Sequence, residues 1–472
     1  MSDTKRDAQR DAKRQLLRDL LPFMLVAVII GGVYAASVGP AGIEGMTWIN
    51  GTSLNIDNLF ISGTDYTANV QLGSGTPLPA DYDYLIIRSG ANYKGYDDTS
   101  LLFTTASFSQ GANWIMGNLT GTRPEIVKFR GALELDTAPI SVPDYAILDG
   151  YGAEIDLTGD IAAIFQSENM GAGRSDFVHI RGFRLDGNKA ARATGTGIEG
   201  TFWNGKIYDN VIIEMSEYGI DLRSYTSTNK AVCNINNNWI GSGTTGQANS
   251  AGGIRLGFNG YSTVDCIIEE NFLINNGNWQ IIIEQGGVHR ISNNHFAGYA
   301  DAGDTKCGGI FIGDYAGSSG NSDVDQVGMY NNHFEQHQRQ GLYIYATSAD
   351  KFSDMFRFTG NDLYDVGMRD ANNTYSAIHF EATGTAGVRF SLIADNTGAS
   401  YKYTDGIGPT PGVPDYPEEF SKALYFIELE GANVDYILTD GNVIQSGQGA
   451  PAWTDYVDGG GSSTLGDNIN IN

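Results

Sequence analysis

One asparagine recurs through more than half of this chain. The segments HIRGFRLDG (179–187), IYDNVIIEM (207–215), INNNWIGSG (235–243), IEENFLINN (268–276), ISNNHFAGY (291–299), MYNNHFEQH (329–337), FTGNDLYDV (358–366), IADNTGAS (393–400) and TDGNVIQSG (439–447) superimpose. Their shared place is held by Gly182 and then by Asn210, Asn238, Asn271, Asn294, Asn332, Asn361, Asn396 and Asn442. A second motif interleaves with the first: GIDLR (219–223), GIRLG (253–257), QIIIE (280–284), GIFIG (309–313), GLYIY (341–345), AIHFE (377–381) and ALYFI (423–427). Apolar residues fill its second and fourth places, and a period of two is the mark of a strand. Each run is too short to be stable alone, and each leads into Gly, Asn or Asp turn chemistry.

Short strands at a long period, with no helical pattern between them, predict a coil stacked on itself. Neighbouring windings would lie about 4.8 Å apart, the strand spacing of a sheet. Ile220, Ile254, Ile281, Ile310, Leu342 and Ile378 would then form one inward column. The repeated Asn suits a left-handed turn, and its amide can bond the Asn of the next winding as a ladder. A propeller or sandwich would need tight turns every ~8–12 residues, a spacing this chain lacks. The expected class is therefore all-β, a single-stranded parallel β-helix.

Composition agrees. Glycine makes up 62 of 472 residues and supplies turns, while a 41% hydrophobic content supplies a large core. Asp and Glu number 55 against 29 Lys and Arg, a net charge of −26. That balance disfavours nucleic acid as a partner, because phosphate contacts need a basic face. Cys233 and Cys266 lie one local period apart and are expected to stack inside neighbouring windings, with a bridge between them left open. With Cys307 the cysteines number three, so one stays unpaired within the chain.

The N-terminal region stands apart. Residues 1–40 combine a basic-rich start with an uncharged stretch, 20–36. As an α-helix that stretch would span roughly 26 Å, slightly short of the ~30 Å hydrocarbon core. Three readings are open: an uncleaved anchor with the bulk of the chain outside, a signal peptide cut after Val33-Tyr34-Ala35, or a helix buried in an assembly. Residues 41–122 read as a β-rich linker or collar with a lead-in, 123–447 as the coil with a proline-rich insertion at 406–420, and 448–472 as a cap or tail.

RPEIVKFRGALELDTAPISVPDYAILDGYGAEIDLTG (123–159) is similar to the entry coils of the pectate-lyase-like superfamily of right-handed parallel β-helices, and HIRGFRLDGN (179–188) resembles its next coil. DYDYLIIRSGANYKGYDDTS (81–100) resembles the lead-in of viral tailspikes and of archaeal or phage surface β-helix proteins. The likeness spans roughly residues 81–447 and bears on fold more than activity, since this fold hosts many functions. It implies display on a virion or cell surface, a surface polysaccharide or glycoprotein as partner, and homo-oligomers. The enzyme motifs of the superfamily are missing: there is no Gly-His-Gly, no Arg-x-Lys in the coils, no Arg-x-Pro-x-x-Arg, and the one Asp-Asp is Asp97-Asp98.

The third and fifth places of the second motif are expected to face solvent. They present Asp221, Arg223, Arg255, Phe311, Tyr343, Tyr345, His379, Glu381 and Tyr425 in a row. Aromatic faces for sugar C–H patches, beside charged groups for hydroxyls, suit glycan binding; an ordinary solvated sheet face has a similar mixture. For hydrolysis, Glu284 and Asp314 are the candidate pair, on adjacent windings. Depolymerase activity and a purely architectural role in a filament or coat are the alternatives to binding. No metal centre or cofactor is expected. His295 and His333 share a place in the Asn motif and read as a polar ladder; Asp301, Asp304, Asp314, Asp323 and Asp325 would favour Ca²⁺ if any ion bound.

Overall fold

In a computed structural model of the chain, the described residues are 82–446 apart from 98–99, 169, 171–172, 225–229, 244–246, 259–261, 299–306, 314, 316–323, 348–351, 365, 367–374 and 401–424, with strand backbone inside 44–65 and parts of 454–471. The chain divides into two units, Met1–Pro79 and Ala80–Asn472. The first contains, as backbone, two antiparallel hairpins: Glu44–Asn50 with Ser53–Asn58, and Phe60–Ile61 with Thr64–Asp65. The expected N-terminal helix at 20–36 and the insertion at 406–420 lie outside the described residues. Among the described residues, no helix is long and apolar enough to cross a membrane.

In the second unit every winding visits three sheets in the same order. The first winding is Glu125–Arg130, Ala132–Leu135 and Ile140–Val142; the next is Ala146–Asp149, Glu154–Leu157 and Ala163–Ser167. Each strand pairs in parallel with its counterpart one winding on. The pattern continues to Leu438–Asp440, Val443–Ser446 and Thr454–Asp458. The third sheet has eleven strands among the described residues, for eleven full windings, and the first two sheets each add one strand beyond it, Thr464–Leu465 and Ile469–Ile471. From Thr263–Val264 onward a narrow fourth sheet fills the corner between the third and first. The fold is a parallel β-helix.

The apolar column is continuous. Ile140, Phe165, Ile198, Ile220, Ile254, Ile281, Ile310, Leu342, Ile378 and Ile427 follow one another by register, and all are buried. Ile427 corrects the expected register of the last motif. It pairs with Ile378, so Glu428 and Glu430 stand opposite His379 and Glu381. Tyr425 shares the parity of the inward Ile427 and Leu429, not of the outward row. The run Leu424-Tyr425-Phe426-Ile427 is apolar throughout and leaves the parity open; the cost of burying two unpaired carboxylates decides it.

The ladder forms, with one rung displaced. Nδ2 of Asn210, Asn238, Asn271, Asn294, Asn332, Asn361 and Asn396 each donates to Oδ1 of the next Asn, at 2.9–3.0 Å. Phe183, not Gly182, precedes Asn210: its N–H donates to Asn210 Oδ1. Gly182 belongs instead to the column just before the ladder, with Asp209, Asn237, Glu270, Asn293, Asn331, Gly360, Asp395 and Gly441. Every member of that column has a φ between +53° and +71°. The left-handed turn is thus made one residue before the ladder asparagine, whose own φ is ordinary.

A second left-handed corner precedes the first sheet, at Asp265, Val288, Gln326, Met355, Phe390 and Tyr436. Val288 is β-branched, 51% exposed, and has φ +58°. An L-residue in this region costs about 1–2 kcal/mol, less for Asn, and β-branched residues fit it worst. Val288→Asn is therefore expected to raise the melting temperature in calorimetry; a lower one would show that apolar contacts along this corner outweigh the strain.

One helix was not legible as such in the lead-in. Phe108–Met116 is capped by Ser107, whose Oγ accepts from Gln110 N–H. Phe108, Ala112, Ile115 and Met116 are buried over the end of the coil, and Phe108 meets Phe129 edge-on at 6.3 Å. The antiparallel strands Tyr84–Ser89, Asn92–Asp97 and Ser100–Thr105 pack with it. The core's open edge is covered there, as solenoids require.

Candidate functional site

The outward face of the third sheet has two zones. The N-terminal zone is built from adjacent windings, where Tyr218–Leu222 pairs with Gly252–Leu256 and Asp221 stands opposite Arg255. Arg255 Nε and Nη2 donate to Asp221 Oδ1 and Oδ2 at 3.0 and 2.5 Å. The guanidinium lies 4.1 Å from the Tyr218 ring centre and 4.3 Å from that of Phe258. Arg223 pairs with Glu199, and Glu284 Oε1 is 4.0 Å from Arg255 Nη1.

The expectation that these places face solvent fails here. Their parity is outward, but Asp221 is 1% and Glu284 2% exposed. The charges pair with each other beneath aromatic rings, which is how buried ions are tolerated. Burial alone would lower the pKa of Arg255; the Asp221 carboxylate overrides it and the pKa is raised. Burial raises Glu199, against the pull of Arg223, and pushes Tyr218 up to about 12. Asp314 lies outside the described residues, as do Asp301, Asp304 and Asp323, so only Glu284 of the expected dyad is placed.

The C-terminal zone borders a cleft, although Phe311 and His379, also expected to face solvent, are themselves buried. Phe311, Tyr343 and His379 follow one another by register. Phe311 meets Tyr343 edge-on at 5.4 Å, and the Tyr343 and His379 rings stack at 5.0 Å. Tyr345 stacks on Tyr343 at 5.5 Å. Trp279 lies beneath, 5.4 Å from Phe311. Room for it comes from Gly308 opposite, where a Cβ would fall 2.3 Å from the indole.

A cleft of about 470 Å³ opens over this ladder, inside the ~300–1,000 Å³ range of small-ligand sites. Trp279, Tyr343 and Tyr375 give it aromatic walls; Arg339, Gln340, His379, Glu428 and Glu430 give it polar ones. Tyr343 donates its hydroxyl hydrogen to Glu381 Oε2; burial first, and that carboxylate second, raise its pKa. Ser376 Oγ donates to Glu428 Oε2 at 2.5 Å. His379 Nε2 is 3.2 Å from Glu430 Oε2. His379, Glu381 and Glu430 each offer an atom within 4.8 Å of the other two, so Glu381, though not part of the cleft wall, lies next to its His379–Glu430 end.

Of the residues expected on this face, Phe311, Tyr343, Tyr345, His379 and Glu381 come together here, while Asp221, Arg223 and Arg255 belong to the enclosed zone. Arg339, Gln340 and Tyr375 precede the strands Leu342–Ala346 and Ile378–Ala382, and carry no periodic signal. Glu430 was hidden by the register slip. Trp279 had a signal, the glycines Gly252 and Gly308 that flank it across the sheet.

No protein-family model and no curated protein matches this chain. Among solved structures, the A-module of mannuronan C-5 epimerase AlgE6 from Azotobacter vinelandii is similar at 13% identity and a TM-score of 0.48, over 78% of this chain and 96% of that one. Tailspike protein 2 of bacteriophage CBA120, in its enzymatically active domain, is similar at 13% identity and a TM-score of 0.44, over 67% of this chain and 43% of that one. The tailspike of E. coli bacteriophage HK620, in complex with a pentasaccharide, is similar at 10% identity and a TM-score of 0.44, over 78% and 57%. This chain thus spans about half the length of those two tailspike chains. None of these likenesses carries an activity to it; the fold stands on the strand pairing above.

Proposed function

We propose that this protein binds a surface glycan in the cleft over Tyr343, as an extracellular element displayed on a virion or cell envelope. The observation that supports it most is the meeting of stacked aromatic rings, Tyr343 and His379, with Glu428 and Glu430 in one cleft. Rings take the C–H faces of sugars and carboxylates take their hydroxyls. Two lining carboxylates against Arg339 would repel a polyuronate, so the partner is a neutral or N-acetylated polysaccharide or glycoprotein. Attachment through 20–36, self-association, and the division into linker, coil and C-terminal tail belong to the same proposal.

Affinity electrophoresis tests it, in gels cast with a neutral, N-acetylated bacterial surface polysaccharide or with polygalacturonate. Retardation is expected in the first and not in the second. Tyr375→Ala and Glu430→Gln should each weaken binding about tenfold, the loss of about 1.4 kcal/mol. Equal mobility of wild type and both variants would remove the cleft from the reading.

A second reading is hydrolysis. It is favoured by the spacing of Glu381 and Glu430, whose oxygens approach within 4.8 Å, near the ~5–5.5 Å carboxyl separation of retaining glycosidases. Release of oligosaccharides from the same polysaccharide, abolished by Glu381→Gln, would establish it; binding without release would leave a lectin-like face.

A further inference from the structure

The second sheet carries a side-chain set that the glycan reading does not use. His295–Ala297 pairs in parallel with His333–Glu335, which places His295 beside His333 and Ala297 beside Glu335. His333 and Glu335 are two apart on one strand and therefore share its outward face. Ala297 offers only a methyl group beside Glu335, and that carboxylate reaches across to both imidazoles. Glu335 Oε1 is 3.3 Å from His295 Nε2, and Oε2 is 3.6 Å from His333 Nε2.

The two rings do not stack as a simple polar ladder would. They stand edge-on, 85° apart with centres at 4.8 Å, and one donor atom from each of the three residues lies within 4.8 Å of the others. His295 Nε2 is enclosed, and despite its approach to Glu335 it makes no hydrogen bond. Phe272 flanks His295 at 4.5 Å and Tyr364 flanks His333 at 5.2 Å, so both imidazoles are held by rings on the windings either side.

We propose that His295, His333 and Glu335 bind a divalent transition-metal ion, Zn²⁺ foremost. Four-coordinate zinc with ligands at ~2.0–2.2 Å separates its donor atoms by about 3.4 Å, and two of the three separations here are already close to that. Imidazole with carboxylate suits Zn²⁺ rather than Ca²⁺, which takes six to eight oxygens. The side chains are 36%, 35% and 21% exposed, which leaves one coordination position open to water. Bound there, the ion ties two successive windings across the 38 residues that separate His295 from His333 in sequence.

The full chain is freed of metal with a chelator, then titrated with Zn²⁺ in a calorimeter and with Co²⁺ in an absorption spectrometer. One equivalent of Zn²⁺ should bind, Co²⁺ should give the intense visible bands of a tetrahedral site, and the melting temperature should rise with Zn²⁺ but not with Ca²⁺. His333→Gln and Glu335→Gln should each lower Zn²⁺ affinity at least about tenfold and lose the cobalt spectrum, while melting without metal as the parent chain does. Glu381→Gln with Glu430→Gln, paired on the third sheet, should leave both readouts intact. The proposal is overturned if Zn²⁺ binding survives His333→Gln, or if it is lost only in the third-sheet variant.

Discussion

Asn271→Ala is expected to destabilise the coil by about 3–6 kcal/mol, because buried groups left without partners cost about 1–3 kcal/mol each. Asn271 Oδ1 accepts from both Asn238 N and Asn238 Nδ2, at 3.0 and 2.9 Å. Its Nδ2 donates to Ile235 O at 2.8 Å and to Asn294 Oδ1 at 3.0 Å. Alanine takes the acceptor from the Asn238 N–H, removes one of the acceptors of Asn238 Nδ2 and strips Ile235 O of a donor, all in the buried interior. The damage spreads, because each winding is stabilised by its neighbours, and the rung lies in the middle of the ladder. Asn271→Asp is the sharper test. It keeps the one acceptor oxygen but replaces the donor nitrogen with a second oxygen, which sets a carboxylate against the Ile235 and Asn294 oxygens. It should be worse than alanine near neutral pH and recover as acid protonates the carboxyl. Denaturant midpoints for the two variants across pH check this; a loss under about 1 kcal/mol for Asn271→Ala would mean the ladder is ornamental.

That ladder was the most legible feature of the sequence, because one residue type at one place in each winding survives any loop length between windings. What the sequence left open was register where local patterning is degenerate. HIRGFRLD aligns with IYDNVIIE equally well in two frames, since Phe183 replaces the amide that marks the frame elsewhere. Its ring joins the Phe129 and Phe165 rings at 5.3 and 5.0 Å, so this rung is apolar. Leu424 to Ile427 is degenerate in the same way. The site was legible only in part for a different reason. Alternation tells which side chains leave the sheet and says nothing of what covers them. Asp221 and Arg255 leave it correctly and are then enclosed by Tyr218 and Phe258. A reading of cross-strand pairs would have found Asp221 opposite Arg255 and identified an ion pair before a sugar ligand.

Acid is expected to weaken the fold steeply between about pH 6.5 and 4, through two histidines rather than through the surface carboxylates. His289 and His337 are enclosed in the coil, and burial pushes each pKa down to about 3. Unfolded, each would titrate near 6.5. Above that value both states are neutral and the contribution is complete; below it the unfolded chain takes protons that the native state refuses, so stability is lost as pH falls toward 3. At about 1.4 kcal/mol per pH unit, each histidine removes on the order of 3 kcal/mol by pH 4. Asp156 acts in the opposite sense. Burial, then Glu154 and Asp186, raise it to about 6, so its contribution is complete below about 3.8 and lost as pH rises through 6. It is only half-buried, and solvent screening leaves it the smaller effect. The two histidines can be told apart. His289 Nδ1 accepts from Cys266 N at 3.2 Å, which assigns its proton to Nε2, 3.3 Å from Thr263 Oγ1. Neither ring nitrogen of His337 has a hydrogen-bond partner among the described residues. His337→Leu should therefore be neutral or stabilising near pH 7 and remove about half of the acid loss. His289→Leu should remove a similar share but lower the stability near pH 7 by orphaning the Cys266 N–H. Thermal unfolding at pH 7, 5.5 and 4 distinguishes them, and a His337→Leu protein with the parent's full pH slope would show that the acid sensitivity arises elsewhere.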